Sequence, residues 1–347
     1  TFRERIRING QMIDEKYICQ FVENNRDVFN KIQPSFFEMT VAMAFKYFSD
    51  KKVDIAVVEV GMGGRLDSTN LLNPDLTIIS NIDYDHMQFL GNTLPEIAKE
   101  KAGIIKENVP IVIGETHAET EKVFTSVAAA CNAPIVFADQ HFSLSRVKRI
   151  RKKSNPLLTF DIMHHNQIYI QQCVSPLTGM YQEKNFVTLA AAFAILKEKM
   201  DLSEKHFKKG IKRCICNTGL KGRWQRLQSK PLCIADIGHN EAGIRMNVNQ
   251  LKTISFDKLH FVLGVVNDKD IDTMLALLPK EARYYFCKAN IPRGFKPNML
   301  KKKAKQYGLH GSCYPSVKEA YKQAKTNADI KDVVFVGGSA FTVAEVI

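Results

Sequence analysis

Three features are absent from this chain of 347 residues, and each absence narrows what it can be. No apolar run approaches the roughly 18 residues that a bilayer-spanning helix needs, so no membrane-spanning helix is expected. The chain opens on Thr1-Phe2-Arg3-Glu4-Arg5, without a signal-peptide pattern and without a Met. None of the eight cysteines (Cys19, Cys131, Cys173, Cys214, Cys216, Cys233, Cys287, Cys313) falls in a CxxC pair. That spacing speaks against a disulfide framework or a zinc site and points to a reducing cytoplasm. There is also no RNP-like aromatic pattern, zinc finger or helix-turn-helix signature, so nucleic acid is not expected as a partner.

What is present reads as a globular protein. Hydrophobic residues make up 45% and charged residues 24%, ordinary values for a packed chain. The length predicts two domains. The net charge of +13 suggests anionic partners. Its clusters at Lys148 to Lys153 and Lys301 to Lys305 are read first as solvated faces.

Short β-rich runs alternate with stretches of helical period, the pattern of a parallel α/β sheet. Ser35-Phe36-Phe37-Glu38 is a capping box opening a helix to about Ser49, and Val53 to Val60 reads as a buried strand. Strands are expected at Leu76 to Ile82, Val109 to Gly114 and Pro134 to Ala138. A helix from the capping box Thr93-Leu94-Pro95-Glu96 to Gly103 and another from His117 to Asn132 separate them. The rhythm then changes to an antiparallel meander, Phe142 to Ile150, Leu157 to Met163 and Gln167 to Val174. Helices Glu183 to Met200 and Ser203 to Cys214 follow, then a glycine-containing stretch, Asn217 to Gly222, suited to a hinge. After it the α/β alternation restarts, with strands at Leu232 to Ile237, Leu259 to Val266, Tyr284 to Lys288 and Asp332 to Val336. The predicted fold is therefore α/β. A mostly parallel sheet domain, 1–222, precedes a smaller doubly wound, Rossmann-like domain, 223–347, with the boundary near residues 219–229.

Five segments could carry chemistry. Glu59 to Asn70 (EVGMGGRLDSTN) follows a predicted strand at the sheet edge where α/β proteins bind ligands. Its glycines would let backbone approach an anion. A tight turn beside a paired Glu explains the segment as well, and its glycine spacing does not match the GxGxxG of dinucleotide loops. Asp85-His86 follows the next strand, so Glu59 and His86 could reach one metal. Magnesium prefers oxygen donors, which makes an imidazole ligand unusual but acceptable. Lys101 sits in the last turn of a helix, where complementing the helix C-terminus is the simpler explanation. Arg223 lies on the hinge, from which it could swing toward phosphate. Asp236 to Asn240 (DIGHN) ends the first strand of the second domain, where carboxylates commonly accept from ribose.

In order and spacing, EVGMGGRLDSTN, DHMQFLG, IAKEKAGIIK, GLKGRWQ and DIGHN together resemble the folylpolyglutamate synthase and dihydrofolate synthase branch of the Mur ligase superfamily. FRERIRING near the start and VGGSAFTVAEV near the end fit the same family's flanking motifs. The resemblance implies a P-loop-type first domain and a glutamate-ligase second domain. It implies Glu59 and His86 as magnesium ligands, and Lys101 as a lysine that is carbamylated and joins the metal site. Arg223 would contact ATP phosphates, with Asp236, His239 and Asn240 holding the nucleotide. Asp67, and less directly Ser35 and Phe37, would lie near the folate, and Ser339 near the incoming glutamate. Lys101, Arg223 and His239 are the residues this resemblance makes catalytic.

The implied reaction phosphorylates the carboxylate of dihydropteroate, or the γ-carboxylate of a folate, with ATP and Mg²⁺. A second Mg²⁺ and K⁺ remain open. L-Glutamate then attacks the acyl phosphate. A cytoplasmic monomer acting on small molecules is expected, with no membrane partner. Two departures stand out. No G-x-x-x-x-G-K-[ST] phosphate loop occurs in the 347 residues. By the family's order it would lie upstream of Thr1, so a truncated first domain, inactive alone, is expected. Tyr181 stands where the family usually shows His, and it is given no catalytic role. The alternatives are a cell-wall peptide ligase of the Mur type and a non-catalytic nucleotide- or folate-binding module.

Overall fold

The computed structural model describes residues 2–84, 87–152, 155–267 and 271–347. A short hairpin, β1 (Arg7–Ile8) and β2 (Gln11–Met12), and helices Glu15–Asn24 and Arg26–Ile32 precede the helix Phe36–Asp50. That helix starts where the sequence placed it. Ser35 Oγ accepts from Glu38 N at 3.2 Å, and Glu38 Oε2 accepts from Ser35 N at 2.6 Å. The same reciprocal cap opens helix Leu94–Ala102 at Thr93 and Glu96. Each cap satisfies amides that a first helical turn leaves without partners.

The first sheet consists of β3 (Thr77–Ile79), β4 (Ile111–Ile113) and β5 (Ile135–Phe137), all parallel and in sequence order. Helices Leu94–Ala102 and Glu121–Ala130 cover one face through Ala98, Ala102, Phe124 and Ala128. The other face meets helix Gln182–Lys199, whose Phe186, Ala190, Ala191 and Phe193 also pack on the meander. That meander is antiparallel, β6 (Phe142–Lys152), β7 (Asn155–His164) and β8 (Gln167–Ser175).

One expected strand is not a strand. Residues 53–60 run without ladder pairing, and β3 is the edge of its sheet. Ile55 is 60% and Val57 94% exposed, so the expectation of a buried strand is overturned. The composition is that of a strand, but strand structure requires a neighbour to supply hydrogen bonds, and none of the described sheets includes this segment.

The C-terminal region contains β9 (Gln225–Ser229), β10 (Leu232–Ala235), β11 (Leu259–Leu263), β12 (Arg283–Phe286), β13 (His310–Cys313) and β14 (Val333–Gly337). Their order is β13-β12-β11-β14-β10-β9, with only β9 antiparallel. Apolar side chains alternate between two layers. Phe261, Leu263, Tyr284, Phe286 and Phe335 face one, and Val262, Tyr285, Val334 and Val336 the other. The chain moves outward from β10 past β14 to β11, β12 and β13, then returns to place β14 beside β10. The carboxyl ends of β10 and β14 therefore flank the topological switch, where open α/β sheets bind ligands. No helix among the described residues is long and apolar enough to cross a membrane.

Candidate functional site

The sequence candidates fall into two groups by what they touch. The first is built on the glycine-rich segment after residue 60. Asp67 closes this loop on itself: Oδ2 accepts from Met62 N at 2.9 Å, and Oδ1 accepts from Thr69 N at 2.9 Å and Thr69 Oγ1 at 2.6 Å. The Phe37 ring lies so close to Gly61 that an added Cβ would sit 2.3 Å from its Cζ. Any larger residue there would push the Phe37 ring aside, so the ring and the loop are in close contact.

The loop in turn seats on the end of the helix that carries Lys101. Arg65 N donates to Glu100 O at 2.9 Å, and the Arg65 guanidinium meets Glu100 Oε1 at 3.1 Å. A Cβ on Gly103 would lie 2.4 Å from the Arg65 Cα. Asn70 Nδ2 donates to Gly103 O at 2.9 Å, and Lys106 Nζ donates to Asn70 O at 2.7 Å. Two sequence segments more than thirty residues apart are thus locked together by backbone contact. As a result Glu59, Gly63, Asn70, Lys101 and Lys106 line one cavity of about 710 Å³. Residues 54–60 and 72–81, the latter including β3, also line it, as do Leu196 and Met200 at the end of helix Gln182–Lys199. Glu59 is exposed and Lys101 half-buried. His86 lies outside the described residues. Ser35 is occupied as the helix cap described above, and it neighbours this group through Phe37.

The second group stands at the switch between β10 and β14. Asp236 is 2% exposed and its carboxylate is fully engaged. Oδ1 accepts from Gly238 N at 2.8 Å and Asn247 Nδ2 at 2.9 Å. Oδ2 accepts from Trp224 N and from the Tyr181 hydroxyl, both at 2.7 Å. A buried carboxylate with four donors is well compensated for its lost hydration. In this arrangement both oxygens serve the protein itself, so Asp236 organises the motif. His239 is half-buried, its Nδ1 at 3.0 Å from Ile237 O. Asn240 caps helix Glu241–Leu251 through Oδ1 and Gly243 N at 2.9 Å. Ser339, 2% exposed, caps the short helix after β14 by accepting from Thr342 N at 3.0 Å. Arg223 is exposed on the hinge.

The residues that sequence reasoning missed are those joining the hinge to the rest. Tyr181, set aside as non-catalytic, donates to Asp236. Burial first, then the charge and hydrogen bond of Asp236, push its phenol far above the ordinary range, with Arg223 opposing. Gln250, 4% exposed, accepts from Met180 N at 2.7 Å and donates to Thr178 O at 2.9 Å. A signal existed for Asn247 and Gln250. They sit on the helical stripe of Ile244, Val248 and Leu251, and polar residues on a buried stripe need partners.

The family model for the Mur ligase middle domain matches residues 33–196, and that for the Mur ligase glutamate ligase domain matches residues 222–340. Dihydrofolate synthase/folylpolyglutamate synthase of Bacillus subtilis is 31% identical, over 84% of this chain and 69% of its own length. A probable bifunctional folylpolyglutamate synthase/dihydropteroate synthase of Haloferax volcanii is 29% identical, over 99% of this chain but 41% of its own. This chain therefore spans less than half of that relative. Among solved structures, Escherichia coli FolC in complex with DHPP and ADP superposes with a TM-score of 0.85 at 26% identity, covering 100% of this chain and 78% of that one. The Yersinia pestis bifunctional enzyme complexed with AMPPNP and Mn ion gives 0.82 at 28% identity, covering 100% and 78%. Thermotoga maritima folylpolyglutamate synthase gives 0.81 at 32% identity, again covering 100% and 78%. By these matches the chain belongs to the folylpolyglutamate synthase/dihydrofolate synthase family of the Mur ligase superfamily.

Proposed function

We propose that this chain forms the larger part of an ATP-dependent ligase that joins L-glutamate to a folate-type carboxylate, dihydropteroate or the γ-carboxylate of a folate. We take residues 1–222 as its ATP and folate domain and 223–347 as its glutamate-ligase domain. The observation that carries the reading is the docking of the 61–65 loop onto the helix end bearing Lys101, which gathers a carboxylate, glycine backbone and two lysines around one cavity. Relatives crystallised with ADP, DHPP, AMPPNP and Mn ion support it.

The reaction must bring anions together. The acceptor carboxylate attacks the γ-phosphorus of ATP and ADP leaves. The amine of glutamate then attacks the acyl phosphate, an amide forms and phosphate leaves. Arg223, exposed on the hinge beside the 236–240 motif, would stabilise the charge developing on the transferred phosphoryl group. Closure of the two regions would exclude water that would otherwise hydrolyse the acyl phosphate.

The residues present fit a hard divalent cation. Among the described residues no three His, Cys, Asp or Glu side chains converge as a metal cage. Magnesium seldom uses one, since it keeps waters and takes one or two carboxylates together with substrate phosphates. When bound it would neutralise phosphate charge, held by Glu59 and His86. Lys101 as an ammonium would oppose it by roughly 4 kcal/mol per unit charge at 4 Å and an effective dielectric near 20. Carbamylation of Lys101 by CO₂ would reverse that sign.

No phosphate-binding loop is among the 347 residues, and two unpaired backbone edges with apolar side chains flank the cavity. We read the part of that cavity between residues 54–60 and β3 as the place where a strand leading into such a loop pairs with β3, beside the part lined by Gly63, Lys101 and Lys106. The free cysteines fit a reducing, cytoplasmic setting. The test is product formation from ATP, Mg²⁺, glutamate and dihydropteroate or a reduced folate, followed by ADP release and product mass. The 347 residues alone should be inactive, and a chain that supplies the phosphate loop should be active. Lys101→Ala in the active form should lose nearly all turnover, with partial recovery by added short carboxylates. ATP turnover by the 347 residues alone, or a fully active Lys101→Ala variant, would overturn this account.

A further inference from the structure

Two side chains, the buried Gln250 and the half-buried Tyr181, clasp the N-terminal and C-terminal regions across the hinge, and the ligase reading gives neither a role. Gln250 holds the 178–180 turn with both ends of its carboxamide, leaving neither Met180 N nor Thr178 O unpaired. One residue further on, the Tyr181 hydroxyl reaches Asp236. Asp236 Oδ2 also holds Trp224 N, immediately after Arg223. Trp224 has φ +47°, in the left-handed region that bulky residues rarely occupy. Such a conformation persists only where the surroundings enforce it. Here the enforcement is the Asp236 bond together with burial of the indole, 7% exposed, against Phe335.

We propose that Tyr181 is a positioning residue. Through the chain from its hydroxyl to the Asp236 carboxylate to the Trp224 amide, it fixes the hinge backbone that aims Arg223, while Gln250 fixes the docking of the two regions. The catalytic part of this proposal rests on the ligase reading above; the structural part does not. Tyrosine suits the role because its phenol stays protonated and so keeps donating. Burial beside Asp236 disfavours the phenolate. The hinge segment thereby takes its shape from a residue more than forty positions earlier, so hinge geometry reports whether the two regions are docked.

Trp224 is the single tryptophan in the sequence, so its emission reads the hinge directly. Tyr181→Phe removes one oxygen and keeps the ring. It should shift the emission of the 347-residue chain to longer wavelength and increase acrylamide quenching, with an unchanged far-UV spectrum. In the active ligase it should lower kcat about tenfold, with KM for the folate acceptor unchanged, because Arg223 acts on phosphate. Tyr181→His retains a ring donor and should recover most of both signals. Gln250→Met, similar in length but without hydrogen bonds, should enlarge the radius of gyration measured by X-ray scattering. Unchanged emission and unchanged kcat in Tyr181→Phe would overturn the positioning role, and an unchanged radius in Gln250→Met would overturn the clasp. If the wild-type ligase forms no glutamylated product, the functional reading fails, and emission and scattering alone decide the clasp.

Discussion

Val333–Gly337 in the C-terminal sheet and residues 53–60 in the N-terminal region have nearly the same kind of sequence, VVFVG against VDIAVVEV. Their fates differ completely. The first pairs in parallel with both β10 and β11, and its Val333, Val334, Phe335 and Val336 are at most 1% exposed. The second has no sheet partner, and its Val57 is almost wholly exposed. Local preference is the same in both, so the difference comes from what stands beside each segment. A β-rich run is a request for neighbours. The C-terminal region supplies its own, and the N-terminal region leaves one edge of β3 and one side of the cavity open. On the function proposed above, that open side is where a phosphate-binding segment would complete the sheet.

The comparison breaks first, and by the largest margin, under core truncation. Phe335 is fully buried and touches Phe261 and Trp224, with ring centroids 4.9 and 5.8 Å apart. Phe335→Ala should cost about 3–5 kcal/mol, the combined loss of burial and a residual cavity. Val57→Ala should lie within about 0.5 kcal/mol, as for surface changes generally. Urea unfolding followed by Trp224 emission reads the first and far-UV dichroism the second. A Val57→Ala loss comparable to that of Phe335→Ala would mean that residues 53–60 are packed against a partner in solution, and the contrast would fail.

The same contrast explains which parts of the structure were legible in the sequence. Capping boxes at Ser35 and Thr93 are local, with donors and acceptors within four residues, and both helices start where they were expected. The meander and the alternation of strands and helices after residue 230 follow from periodicity and were also legible. The 53–60 strand was misread because its condition is a neighbour that periodicity does not supply. The edge strands β9 and β13 went unnoticed because they are short and only half-buried, without a continuous apolar run. At the site, the motifs around Glu59, Lys101, Arg223 and Asp236 were visible from spacing. The engagement of Asp236 by Tyr181, Trp224 and Asn247 was not, since it joins residues up to 55 positions apart.

Acid should sharpen the comparison next, because the C-terminal region carries a buried polar network at the opposite end of its sheet from the candidate site. His260 Nε2 lies 3.1 Å from Asp332 Oδ2, and Nδ1 lies 2.9 Å from the Tyr285 hydroxyl, which accepts from Asn327 Nδ2 at 3.0 Å. Burial alone would push the Asp332 carboxyl up. The amide of Asp329, His260 and the amide of Lys258 more than offset it and hold the carboxyl below its usual range. A carboxyl whose folded value is depressed stabilises the fold at pH above its unfolded value, about 3.9, and that stability is lost as pH falls through the folded value. The C-terminal region should therefore lose stability below about pH 4. Asp332→Asn should be less stable at neutral pH yet flatter in its acid dependence. An acid limb equally steep in Asp332→Asn, followed by Trp224 emission, would assign the loss to other carboxylates.

The smallest expected effect separates two roles for Ser35, which the family resemblance places near the folate and the structure engages as a helix cap. Removing an N-cap hydroxyl typically costs about 1 kcal/mol, and aspartate caps about as well as serine. Ser35→Ala should therefore lower the stability of the N-terminal region by about that amount and leave the Trp224 signal of the C-terminal region unchanged. Ser35→Asp should restore the lost stability, since its carboxylate can accept from the Glu38 amide as the hydroxyl does. It should also favour the helix N-terminus electrostatically, although Glu38 already stands there and like charge will offset part of the gain. Folate binding then decides the second role. If the cap is all that Ser35 provides, folate binding should follow stability through the three variants, weakened in Ser35→Ala and recovered in Ser35→Asp. If Ser35 also meets the ligand, Ser35→Asp should fold as well as wild type and still bind folate poorly, because a new carboxylate would face a polycarboxylate. Phe37 makes this outcome informative, since its ring packs on Gly61 two residues from the cap and would carry a cap disturbance into the glycine loop.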